Sequence, residues 1–269
     1  MNYDPIKTQA GHIFNCCRGS RIIFYRLLDI LLLRSWYIRR EIKKWAGSAP
    51  PNARVLDAGS GLGQYVYFIS RLRGDFHVKG IDIKQEEIDI CDRFFGSESS
   101  GGRVSFENAD LNKFVEPASY ELILCVDVLE HIKDDLQVME NLCRSMKPGG
   151  MLIVSTPSDQ GGSDVHDEGD TSFIGEHVRD GYGREEIQDK LLKAGFSRVE
   201  VDYSYGLPGQ LSWKMSMKYP VRMLNAGRVF FLILPLYYLL VMPFALLLNF
   251  FDLRSRHASG TGLMVKAFR

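Results

Sequence analysis

The chain has 269 residues, 45% of them hydrophobic, with 33 basic and 33 acidic side chains. That composition excludes a disordered tail, a collagen-like repeat and a disulfide scaffold, and zero net charge speaks against a general nucleic-acid binder. The length is ample for one large domain or a domain with a sizeable insertion.

The neutral total hides a segregation. Residues 1–46 carry nine Lys/Arg against three Asp/Glu, residues 75–135 six against fifteen, and residues 207–269 eight against one. Basic, apolar ends therefore flank an acidic middle. The five cysteines (Cys16, Cys17, Cys91, Cys125 and Cys143) form no C-x-x-C pair, which suits a reducing compartment and gives no zinc or redox motif. The apolar stretch 27–33 is broken by Asp29 and followed by no small-residue cleavage site, so the expected location is the cytoplasm.

Residues 13–46 read as one or two basic amphipathic helices. Ile22, Ile23, Leu27, Leu28, Leu31 and Leu32 interleave with Arg18, Arg21, Arg26 and Arg34, and Arg39, Arg40, Lys43 and Lys44 crowd the end, where cations suit the helix dipole. The run 47–52, rich in Pro and Gly, marks a boundary, which makes 1–49 a helical cap. Strands are then expected at 53–57, 77–83, 104–108, 122–126, 151–155, 198–205 and 262–268. Helices are expected at 64–72, 86–95, 136–146 and 184–194. Short apolar strands separated by helices of about ten residues predict a parallel sheet covered on both faces. Residues 158–176, rich in Gly, Ser and Asp, read as a loop.

The strongest motif is Val-Leu-Asp-Ala-Gly-Ser-Gly-Leu-Gly over 55–63, a strand running into Asp57 and then Gly59, Ser60, Gly61 and Gly63 before a helix. Glycines there let the backbone turn tightly and approach a ligand at the strand's carboxyl end. A dinucleotide fingerprint would need G-x-G-x-x-G, but the third glycine arrives one residue early, leaving Gln64 in its place. The spacing instead resembles the D-x-G-x-G-x-G loop of class I S-adenosylmethionine (SAM) methyltransferases, in particular the type 11, quinone-biosynthesis group. Three further landmarks keep the order: Gly-Ile-Asp82-Ile83 after the second strand, Asn108-Ala-Asp110-Leu111 after the third, and Met-Lys-Pro-Gly-Gly over 146–150 before the fifth.

The resemblance implies an α/β fold with a doubly wound, mostly parallel seven-stranded Rossmann-like sheet, an N-terminal helical cap and a hydrophobic helical insertion before the last strand. The expected organisation is a cap over 1–49, a SAM-binding core over 50–206 plus 259–269, and an insertion over 207–258. SAM is the implied cofactor. Asp57, Gly59, Ser60, Gly61 and Gly63 would hold its methionine part, Asp82 and Ile83 the ribose, and Asp110 and Leu111 the adenine, with Asp127 also on the cofactor side.

Methyl transfer from a sulfonium is an in-line displacement, so alignment supplies much of the catalysis and a base is needed only where the acceptor must lose a proton. After the fourth strand come Asp127, Glu130 and His131. A helix starting near Asp127 would put all three on one face, as a Glu-oriented His base or as a ligand set for a divalent cation. The plainer reading is that Glu130 and His131 shape the SAM pocket. A second cluster, Gly-Glu-His177-Val-Arg179-Asp-Gly-Tyr182, resembles a His-x-Arg-x-x-Tyr stretch of small-molecule methyltransferases, in which His177 and Tyr182 would cover the acceptor, with His166 nearby. His131, His177 and Glu130 are the catalytic candidates; His12, His77 and His257 read as packing or surface residues.

Residues 229–251 are 23 in number with no charge, long enough to cross a bilayer. The resemblance implies that the strand at 262–268 pairs in the same sheet as the one at 198–205, so a single span would not return the chain, and 23 residues are too few for two crossings. Pro235 and Pro243 would bend or break the helix and suit an in-plane arrangement. The expectation is a SAM-dependent methyltransferase acting on a lipophilic, membrane-associated acceptor such as a quinol or another lipid. It would be peripheral or monotopic on the membrane through 13–46 and 221–256, with no nucleic-acid partner and with homo-oligomerisation open. The rival readings are a methyltransferase for a soluble metabolite or natural product, and a non-catalytic membrane-associated scaffold.

Overall fold

The computed structural model describes residues 18–99, 102–161, 178–227 and 230–269. Helices α1 (Arg18–Leu31) and α2 (Leu33–Ala46) lead into β1 (Arg54–Ala58), α3 (Gln64–Leu72), β2 (His77–Asp82), α4 (Gln85–Ser99), β3 (Val104–Asn108) and β4 (Tyr120–Val126). A short 3-10 turn, Leu129–His131, precedes α5 (Asp135–Ser145), β5 (Met146–Pro157), α6 (Arg184–Lys193) and β6 (Arg198–Ser204). The strands form one seven-stranded sheet in the order β3-β2-β1-β4-β5-β7-β6, with β7 (Gly262–Phe268) antiparallel to both neighbours and the other pairings parallel.

Alternation along the strands divides the core between the two faces of the sheet. Val55, Leu122, Leu124, Ile153 and Met264 point to one side, where they meet Ile38 and Ile42 of α2 and Val66 and Ile69 of α3. Leu56, Ile123, Leu152, Val154 and Val265 point to the other, against Val138 and Leu142 of α5 and Ile187 and Leu191 of α6. Ile38 and Ile42 are completely buried, and each contributes about 1.5–3 kcal/mol from burial. The basic first helix pair is thus part of the core on its inner side, while Ile23, Leu27 and Ile30 of α1 stay exposed.

Between β6 and β7 the chain leaves the sheet as a helical arm. Helix α7 (Leu207–Trp213), a π-helical turn (Lys214–Lys218) and α8 (Tyr219–Ala226) run outward, and α9 (Phe230–Arg254) returns. Ser204 is paired with Gly262, which is paired with Pro157 at the end of β5, so the arm departs from the carboxyl edge of the sheet. Of the bend or break expected at the prolines, the break does not occur: α9 continues through both Pro235 and Pro243. Each removes one backbone hydrogen bond, and the surrounding turns, together with packing on the outgoing helices, keep the helix whole. That packing uses a small-residue face, where the Ser212 hydroxyl donates to the Ala245 carbonyl at 3.0 Å and the Tyr238 hydroxyl donates to the Ser216 carbonyl at 3.0 Å.

At its base the arm is tied to α2. Asp252 has no exposed surface; its carboxylate accepts from the Tyr37 hydroxyl at 2.6 Å and the Gly209 N–H at 2.8 Å, and His257 Nε2 lies 3.3 Å away. Arg40 adds a bond to the Leu253 carbonyl. Asp252→Ala strands the buried Gly209 amide and removes the carboxylate's bond to Tyr37, so it is expected to cost about 2–4 kcal/mol. Urea unfolding of the variant checks this, and an unchanged midpoint would refute it.

Candidate active site

The loop after β1 is shaped by three left-handed glycines, Gly59 (φ 82°), Gly61 (φ 48°) and Gly63 (φ 77°). A side chain at Gly59 would be doubly excluded, since a Cβ there would stand 2.3 Å from Val128 Cγ2. The Gly59 and Ser60 amides donate to the Ile81 carbonyl at 2.8 and 2.9 Å, which locks the loop onto the end of β2. Asp82, the last residue of β2, accepts from the Gly61 amide at 2.9 Å and the Lys84 amide at 3.0 Å. A carboxylate has about four acceptor positions, so two remain for a ligand. Ile83 beside it is exposed. Next along the edge, Asp110 is half-buried, and bonds from the Asn112 amide and side chain hold its carboxyl below the usual range. Leu111 is buried against the core.

Asp57 lies beneath this loop with 1% of its surface exposed and one carboxylate oxygen, Oδ2, without a partner. Burial, reinforced by the charge of Asp82 and opposed by the Val66 amide, pushes it up to about 7. The Ser60 hydroxyl is likewise buried without a partner. Orphaned buried acceptors are uncommon in folded proteins. A buried acid with one oxygen lacking a donor, under a loop that admits no Cβ at Gly59, fits a ligand carrying a cationic amine, and the methionine part of SAM has one.

The helix expected to start at Asp127 does not form. Asp127 is left-handed (φ 52°) and outside any helix, its amide bonded to the Ser155 carbonyl at 2.8 Å and its carboxylate paired with Arg34 of α2. Glu130 turns inward instead, 1% exposed, accepting from the Thr156 hydroxyl at 3.1 Å, and burial raises it to about 7. His131 is on the exterior. The three side chains therefore do not share a face, and no group of three or more His, Cys, Asp or Glu arranged to hold a metal occurs among the described residues.

His166 and His177 lie outside the described residues. Tyr182 does not cover a ligand: it is completely buried, its hydroxyl donating to Asp135 at 2.6 Å. Asp135 also pairs with Arg179 and Lys190, which makes this stretch a brace between α5 and α6.

Sequence reasoning missed the part of the site supplied by the first two helices. The Tyr25 hydroxyl and Arg21 guanidinium of α1 donate to the Leu62 carbonyl in the glycine loop, at 2.5 and 3.3 Å. Gln64 donates to Asp29 at 2.8 Å and to the Ser35 hydroxyl at 3.1 Å. The Arg34 amide donates to the hydroxyl of Tyr205, a left-handed tyrosine (φ 54°) at the end of β6. Nothing in the local spacing of Arg34, Asp29 or Tyr205 signals these contacts, because they join segments far apart in the chain.

A family model described as "Methyltransferase domain" matches residues 50–192, more than half of the chain. Ubiquinone biosynthesis O-methyltransferase from Paraburkholderia phymatum is 37% identical over 105 residues, 38% of this chain and 44% of that protein. The enzyme of the same name from Ralstonia nicotianae is 33% identical over 116 residues, 42% of this chain and 47% of that protein. The matched part is thus less than half the length of these relatives.

Among solved structures, Haemonchus contortus phosphoethanolamine N-methyltransferase 2 superposes with a TM-score of 0.60 at 21% identity, covering 87% of this chain and 52% of that one. The [4+2]-cyclase SpnF superposes with a TM-score of 0.55 at 16% identity, covering 85% and 80%. These similarities establish a common fold. The fold and the glycine-loop site define a class I SAM-dependent methyltransferase, with SAM as its cofactor. The chain belongs to the methyltransferase-domain family.

Proposed function

We propose that the protein transfers a methyl group from SAM to a lipophilic, membrane-associated small molecule, quinol-like or another lipid. The observation that carries this reading is the arm. Its returning helix contains Leu232–Arg254, a span of 23 residues long and apolar enough to cross a membrane and little buried in the fold, and the arm springs from the same sheet edge as the glycine loop. Leu232, Leu236, Leu239, Leu240, Phe244 and Leu247 are more than half exposed. An apolar surface of that extent marks an interface, and the basic excess over 207–269 suits an anionic lipid surface, where each Lys or Arg contributes about 1 kcal/mol. The names of the O-methyltransferase relatives support a quinol-like acceptor.

Asp57 and the loop Gly59, Ser60, Gly61 and Gly63 hold the methionine part of SAM, Asp82 and Ile83 the ribose, and Asp110 and Leu111 the adenine. When bound, SAM supplies an electrophilic methyl on a positively charged sulfur. Asp127, held by Arg34, stands on the cofactor side. Where the acceptor must lose a proton, Glu130 and His131 are the groups at hand, Glu130 being tuned to about 7, near the pH of a working base. The protein then works peripherally or monotopically on the cytoplasmic face of a membrane.

Flotation with phosphatidylglycerol vesicles tests the membrane component. Most of the protein is expected to rise with anionic vesicles at low salt and less at high salt. Protein that stays at the bottom with and without anionic lipid would return the choice to a soluble acceptor.

A further inference from the structure

The outgoing helix of the arm has two faces of opposite character. Gly209, Ser212, Ser216 and Pro220 are buried, and Gly209 and Ser212 bond directly to α9. On the other side Leu207 is 83% exposed, Leu211 49% and Tyr219 45%, with half-buried Met215 between them. These four apolar residues recur every fourth position. In an uninterrupted α-helix a four-residue repeat drifts round the axis by about 40° per step. The π-helical turn over Lys214–Lys218 is wider, which counters that drift and keeps the four in line over about 18 Å.

The stripe starts where the chain leaves β6 at the carboxyl edge of the sheet. Leu207 is two residues beyond Tyr205, whose hydroxyl holds the backbone of Arg34, and Arg34 holds Asp127. Its far end, Tyr219, lies beside the outer half of the arm. No acidic residue occurs between 203 and 251, so no carboxylate on this segment opposes an apolar chain.

We propose that this stripe is the track on which the aliphatic chain of the acceptor lies while its reactive head sits near Asp127 and Glu130. Leu207 and Leu211 are then specificity-determining residues for the chain. The inference rests on the lipophilic-acceptor reading and adds to it a direction: the head points to the sheet edge, and the tail runs outward along the first helix of the arm.

The test is photolabelling of the full chain by 4-dodecylcatechol carrying a diazirine at the end of its chain, with S-adenosylhomocysteine present and adducts located by mass spectrometry. Adducts are expected on residues 207–219, at least fivefold reduced by excess unlabelled 4-dodecylcatechol. They should also fall at least fivefold in Leu207→Gln/Leu211→Gln, whose exposed substitutions leave the thermal melt and SAM binding unchanged. Adducts only on the outer face of α9, adducts that excess compound does not displace, or labelling unchanged in the double variant would overturn the track. Methylation of the same compound separates the two claims. Turnover without track labelling rejects the track alone, whereas competitive track labelling without turnover rejects the quinol-like head and retains the track.

Discussion

Asp82→Ala is expected to weaken SAM binding about 100-fold or more while the protein stays folded. The carboxylate already orders the glycine loop through the Gly61 amide and its own turn through the Lys84 amide. In the proposed role its remaining lone pairs accept from two ribose hydroxyls. Hydrogen bonds to a charged acceptor are each worth about 1.5–3 kcal/mol, so losing two of them, together with the loop restraint, gives an effect of that size. Asp82→Asn keeps the shape and one acceptor oxygen and should fall between the variant and the parent. Calorimetric titration with SAM reads both. An affinity unchanged in Asp82→Ala would remove the ribose assignment and, with it, the orientation of the whole cofactor.

The second large effect is a pH dependence centred on Asp57. Its folded-state carboxyl is raised from the ordinary 3.8 to about 7, so the folded protein without cofactor holds a proton that the unfolded chain has released. Between these values folding takes up a proton, and stability therefore falls as pH rises through that window and levels off above it. Fully ionised, the group costs on the order of 4 kcal/mol, and Glu130 acts in the same direction. The melting temperature of the cofactor-free protein should accordingly rise on going from pH 8 to pH 6. The gain reverses only at lower pH, where paired acids such as Asp135 and Glu116, held below their usual range by Lys190 and Lys79, become protonated.

The amine of SAM, placed against the orphaned Oδ2 of Asp57, favours the ionised carboxylate. Binding should therefore release a proton near pH 6.5, and affinity should weaken by up to about tenfold per pH unit below 7. Titrations in buffers of different ionisation enthalpy measure the proton count directly. Asp57→Asn should abolish the release, flatten the affinity profile and reduce the stability profile to the part that Glu130 contributes. A proton count of zero in the parent would show that Asp57 does not meet the amine.

The sheet was legible because its strands are apolar and bounded by breakers. The span 104–108 for β3, 64–72 for α3 and 262–268 for β7 read the same in the sequence and in the structure. The glycine loop was legible for a stronger reason: the positive φ angles at Gly59, Gly61 and Gly63 leave few alternatives to glycine. The break at Leu32 was not legible, and within the expected helical insertion over 207–258 neither were the bounds of the outgoing helix. The arm's first helix mixes Gly, Ser and Pro with lysines because its inner face must be small, and that hides its period. The helix expected at Asp127 failed because a strand-end residue in the left-handed region cannot begin one, and a tertiary ion pair with Arg34 holds it there. Pro235 and Pro243 do not end α9, because each removes only one amide from a helix of 25 residues.

The position of β7 has a consequence for biosynthesis. This strand fills the slot between β5 and β6, yet it is translated after the whole arm. While the ribosome is still making the arm, the nascent sheet therefore carries two unsealed edges, and the greasiest segment of the chain emerges before the core can close. If the arm engages lipid as proposed, a surface present at that stage would cover its apolar face until the final strand seals the sheet, and membranes supplied during cell-free synthesis would then raise the yield of folded protein.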